Sequence, residues 1–166
     1  MRRINDRFLE DLRSGELACF LKKVREKSGD LRLEIRNGYV NIYYKGGNLL
    51  KITQKRNGYS FFFDTRYCQY GKNLDLLNHR DDGAAYLQCF GQMMEEMDAW
   101  FEKHSNRERQ YQHQLLLNNP EIVDIEYQIG RRMRLDMLLY ADGKLWIVEN
   151  KYGTGAIGGK AGVAEH

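Results

Sequence analysis

Proline is almost missing from this chain: Pro120 is the only one in 166 residues. Helices and strands can therefore run without forced breaks, and the one break stands out. Cysteine is scarce too. Cys19, Cys68 and Cys89 are odd in number and widely spaced, which fits neither a disulfide framework nor a zinc site. No apolar run approaches the roughly 18 residues of a membrane-crossing helix. The start, Met1-Arg2-Arg3-Ile4-Asn5-Asp6, has no apolar core of a secretory leader. Together these absences point to a reducing cytoplasm. Histidine is also rare, and neither His104 nor His113 has a partner at metal-ligand spacing.

What the chain does have is aromatic residues, 12% of the total, and unevenly placed charge. Residues 1–77 carry 16 Lys and Arg against 9 Asp and Glu; residues 78–166 carry 10 against 14. A basic half can follow a phosphate backbone, and an acidic half can hold a cation. Plain segregation of surface charge is the alternative. The reading is two regions, 1–77 and 78–166.

The order of elements predicts an α+β fold. Ile4, Phe8, Leu9 and Leu12, then Leu17, Phe20, Leu21 and Val24, keep helical spacing on either side of Ser14-Gly15, with Ser14 as a candidate N-cap. From Leu31 the period becomes two. Turn signals at Asn37-Gly38, Gly46-Gly47-Asn48 and Asn57-Gly58 divide residues 31–63 into a four-stranded antiparallel meander. Its expected solvent face mixes Arg32, Arg36, Lys45, Lys51, Lys55 and Arg56 with Tyr39, Tyr43, Tyr44 and Tyr59. Such a face can pair phosphates and stack bases, with Lys51 and Arg56 as contacts, or it can be an ordinary solvated sheet. Residues 64–82 read as a link. An apolar stripe from Tyr86 through Trp100 to Leu115 predicts a long helix over 83–118, facing a sheet and stopped before Pro120. A strand at 121–129 follows.

The densest signal is residues 134–151. Two apolar strands meet at Asp142-Gly143, which favours a two-residue type I′ turn and so fixes register. Ala141 then pairs with Lys144, and counting outward pairs Met137 with Val148 and Asp136 with Glu149. Arg134, Asp136, Glu149 and Lys151 share one face. Asp136 and Glu149 are expected on a rung where Cα atoms approach to roughly 4.5 Å. Two facing carboxylates repel, and a hard cation between them removes the repulsion. A solvated charge cluster is the bland alternative. Apolar residues on both faces of the hairpin predict that both faces are covered.

An Asp on one strand followed by Glu149-Asn150-Lys151 on the next resembles the PD-(D/E)XK nuclease superfamily, over about residues 83–166. The Pro of the family name is replaced by Leu135. The resemblance implies a nuclease cutting phosphodiester bonds, DNA first among substrates, with Mg²⁺ or Mn²⁺. It implies Asp136, Glu149 and the Asn150 backbone as metal ligands and Lys151 beside the attacked phosphate. It gives Glu108, on the helix before the first core strand, a place near the metal. Arg134 and Lys160 would contact phosphate. Locally, Ser105-Asn106-Arg107-Glu108 also fits a capping box, with Glu108 on the buried side. A nuclease-like module that binds or scaffolds without cutting is the alternative function.

Gly153-x-Gly155-x-x-Gly158 matches the dinucleotide fingerprint in letters only, because a hairpin precedes it and not a parallel unit. The core implied by the resemblance extends beyond residue 166. A further segment or a second copy of the chain is expected to complete its sheet, since an open edge invites pairing.

Overall fold

The computed structural model describes residues 3–71, 74–129 and 133–149. The α+β layout holds: helices and a four-stranded antiparallel sheet, then a helix and a three-stranded antiparallel sheet. The chain divides into two compact units, Met1–Ser105 and Asn106–His166.

The first unit begins with α1 (Asp6–Arg13) and α2 (Ala18–Glu26). Asn5 caps α1, its side chain accepting from the Phe8 N–H at 2.8 Å. Ser14 ends α1 and does not start α2; its backbone N–H donates to the Glu10 carbonyl, and Leu17 occupies the α2 cap. The meander follows as β1 (Leu31–Ile35), β2 (Tyr39–Tyr44), β3 (Gly47–Lys55) and β4 (Gly58–Phe62), in spatial order β1-β2-β3-β4. The second turn is Lys45-Gly46, both at positive φ, so Gly47 opens β3. Gly47 is required by packing: a Cβ there would lie 2.6 Å from Met97 Cε. A bulge opposite Ile42 and Tyr43 makes Leu49 the extra residue, and both Leu49 and Leu50 are fully buried.

Four of the expected solvent-face residues are buried instead: Arg36, Tyr43, Tyr44 and Tyr59. Tyr44 and Tyr59 join the core and send their hydroxyls to carboxylates, Asp98 at 2.8 Å and Asp11 at 2.7 Å. On the opposite face, Glu34 pairs with Arg32 and with Arg36, and Arg36 and Asn41 donate to the Tyr43 hydroxyl. Tyrosine is amphipathic, so strand alternation alone cannot say which of its ends the fold hides.

The stretch read as a link is part of this unit. Tyr67 lies in a 3-10 helix, Thr65–Gln69, and both Tyr67 and Leu76 belong to the core. So do Phe90, Met93, Met94 and Met97 of α4 (Phe90–Lys103), which follows the short α3 (Gly83–Gln88). The helix expected over 83–118 is thus three helices, broken at Cys89 and again at 104–106. The apolar stripe of α4 packs within the first unit, where α4 contacts β3.

The second unit holds α5 (Arg107–Asn118), β5 (Ile122–Ile129), β6 (Met133–Ala141) and β7 (Lys144–Val148), with the strands in that spatial order. Asn106 caps α5, accepting from the Arg109 N–H at 3.0 Å, so the capping box expected at Ser105 does not form. No residue of α5 is fully buried. Among the described residues, no helix is long and apolar enough to cross a membrane.

Candidate functional site

The β6–β7 hairpin is built by its turn. Asp142 and Gly143 both take positive φ, 52° and 72°, the conformation a type I′ turn demands. The pairs run Ala141–Lys144, Tyr140–Leu145, Leu139–Trp146, Leu138–Ile147 and Met137–Val148, as the turn predicts. Asp136 and Glu149 are the next residue on each strand. Asp136 is half-buried inside β6; Glu149 is exposed, directly past the end of β7.

The third strand adds a carboxylate that the sequence reading passed over. On β5, Ile125 pairs with Met137 and Tyr127 with Leu135, which sets Glu126 level with Asp136. Glu126 and Asp136 therefore mark one row across β5 and β6, and Glu149 follows one residue past the end of β7. Glu126 has φ 50°, uncommon for a residue with a Cβ. Simple strand alternation would put Ile122 and Glu126 on one face. A bulge between Ile122 and Asp124 breaks that pattern. Ile122 joins Ile125 among the buried residues, while Val123 is exposed. The acidic run at 121–126 was the available signal, but bulges leave no periodic trace.

A side chain from α5 reaches this row. Gln112 Nε2 donates to the Asp136 carbonyl at 3.4 Å. The half-buried positions Arg109, Gln112, His113, Leu115 and Leu116 define the covered side of α5. Glu108 is exposed, contrary to its expected buried position, and lies one helical turn before Gln112. In the first turn its charge complements the helix dipole.

No family model matches the chain, and neither the curated proteins nor the solved structures hold a match.

Two carboxylates with backbone and water oxygens form a donor set suited to Mg²⁺, which is commonly held by one or two carboxylates and keeps several waters. Asp136 and Glu149, adjacent at the end of one ladder, fit that set. Among the described residues, no cluster of three or more His, Cys, Asp or Glu is gathered to hold a metal ion. Asn150, Lys151 and Lys160 lie outside the described residues, and for Arg134 only the backbone, in β6, is described.

The remaining phosphate-contact candidates belong to the first unit. Lys51 is half-buried, with its ammonium 4.1 Å from the Tyr39 ring centroid. Arg56 is exposed in the β3–β4 turn, on a cleft of about 1010 Å³ that also meets Lys55, Arg80, Glu16 and Asp81. The hairpin register and the Gln112 contact are the two features that draw candidate residues together.

Proposed function

We propose that this chain is a metal-dependent nuclease that hydrolyses phosphodiester bonds of nucleic acid, DNA first among them. The observation that carries the reading is the hairpin register. It ends its ladder at Met137–Val148, so that Asp136 in β6 and Glu149, one residue past the end of β7, are the next positions outward. Supporting it, the Gln112 contact ties the backbone carrying Asp136 to α5, which limits how far that carboxylate can wander.

In this reading Asp136, Glu149 and the backbone of Asn150 hold a divalent cation. When bound, the cation supplies Lewis-acid chemistry: it lowers the pKa of a water and offsets phosphate charge. Lys151 orients the attacking water or meets the charge that builds on the phosphoryl oxygens. Glu108, on the helix that carries Gln112, would hold a metal-bound water or a second ion. Arg134 and Lys160 would contact flanking phosphates, and Lys51 and Arg56 of the first unit would make phosphate contacts of their own.

The test uses labelled single-stranded, duplex and branched DNA with Mg²⁺ or Mn²⁺. Cleavage by the chain and its loss in Lys151→Ala support the reading. Binding that survives with no cleavage in either metal replaces it with a nuclease-like binding module. Neither binding nor cleavage points to a scaffold.

A further inference from the structure

Among the described residues β7 is the edge strand of its sheet, and it is apolar on both faces at once. Leu145, Trp146 and Ile147 are 61%, 52% and 63% exposed, and Tyr140, across from Leu145, is 55% exposed. Apart from its shortness and a single Lys at its start, this apolar edge strand carries no Pro and no bulge to keep other edges away. Its hydrogen-bonding groups are also set by the turn. In a two-residue hairpin the closing pair, Ala141 and Lys144, exchanges hydrogen bonds, so Leu139–Trp146 and Met137–Val148 do too. The N–H and C=O groups of Leu145 and Ile147 therefore point away from β6, toward the open edge.

We propose that β7 pairs antiparallel with β7 of a second copy of this chain, about a two-fold axis at Trp146. Three observations favour a second copy over another partner. The outward groups are self-complementary: Leu145 of one copy and Ile147 of the other exchange both hydrogen bonds, twice by symmetry. The side chains match as well. Tyr140, Leu145, then Ile147 and Leu138 of the second copy form one apolar row across four strands, repeated by the axis. At the centre, the two Trp146 residues face each other on a non-hydrogen-bonded rung, where side chains are closest. Charge sets the direction: antiparallel pairing brings the Lys144 end of one strand to the Glu149 end of the other, whereas parallel pairing brings like ends together. The product is a six-stranded sheet, β5-β6-β7 followed by its two-fold mate. The proposal stands independently of the nuclease reading.

The experiment is sedimentation velocity of the full chain from low to high micromolar concentration, with circular dichroism in the tryptophan bands. The expected result is a monomer–dimer equilibrium and an exciton signal from the paired Trp146 rings that fades on dilution. Ile147→Pro removes an outward N–H and leaves the ladder to β6 intact, since Pro is tolerated at such edge positions. It should weaken dimerisation by at least about tenfold, the cost of one or more lost interface hydrogen bonds. Trp146→Arg, which sets two like charges face to face at the axis, should do the same, with the exciton signal lost and the urea midpoint of the first unit unchanged. A chain that stays monomeric throughout, or a dimer indifferent to both substitutions, overturns the pairing.

Discussion

The two sheets are both antiparallel meanders with tight turns, yet they treat apolar side chains in opposite ways. In the first, Val40, Ile42, Leu50 and Ile52 are wholly buried in a cluster with Phe8, Phe20 and Met93 from the helices. In the second, Ile122, Ile125, Met137 and Leu138 are buried while every residue from Lys144 to Ile147 is exposed. The first unit has the anatomy of a stable scaffold. The second places charges at the end of a hairpin whose edge is open, and regions with few buried contacts are where functional motion and binding are usually found.

The contrast can be broken most forcefully from the core side. Phe20→Ala removes a buried ring that meets Phe61 and Phe90 and should cost about 3–5 kcal/mol, read from urea unfolding of the first unit. Ile147→Ala, read at a concentration where the chain is monomeric, should change stability by no more than about 0.5 kcal/mol. Equal losses for the two would erase the distinction.

Next in size is the separation of activity from stability. Asp136→Ala should lower metal-dependent cleavage by more than about 100-fold, because loss of a ligand exceeds the usual cost of losing an outer contact. The urea midpoint of the first unit should not move. Gln112→Ala should act in the same direction but more weakly, by about tenfold, because it frees the Asp136 segment without removing the carboxylate. Its signature would be weaker apparent metal affinity with DNA binding unchanged.

Alkaline pH should strain the first unit. Burial, and then donation to Asp11, lift the Tyr59 hydroxyl well above its ordinary 10.0. Burial works against the Lys45 ammonium, but hydrogen bonds to Asp98 and Tyr44 outweigh it and raise that group too. Folding thus holds both protons more tightly than the unfolded chain does. Their stabilisation is complete below the unfolded values and fades as pH climbs above about 10 toward the folded ones. Tyr59→Phe should reduce that fading, measured as the midpoint of thermal unfolding against pH.

Much of this was legible in the residues. Asp142-Gly143 gave a register that the hairpin follows pair by pair, because a type I′ turn leaves no freedom in counting. The meander was readable from its period and its glycines. The bulges at Ile42/Tyr43 and Ile122/Asp124 were not, since an extra residue costs a strand little and has no composition of its own. One such bulge hid the relation of Glu126 to Asp136. The long helical stripe misled for a different reason. Asn106 resets the helix by capping it anew, so Met93 and Tyr111 share a periodicity but belong to different units. Coverage of the hairpin was expected on both faces from its apolar residues, yet hydrophobicity states a preference for burial and does not supply the partner.

The most direct test of the central claim is cleavage of labelled DNA by the full chain in Mn²⁺ and Mg²⁺, with Asp136→Ala, Glu149→Ala and Lys151→Ala in parallel. The account predicts cutting by the parent chain and near-complete loss in all three, with DNA binding kept. Cutting that persists when all three residues are replaced would contradict it, because the hairpin would then not hold the reacting groups.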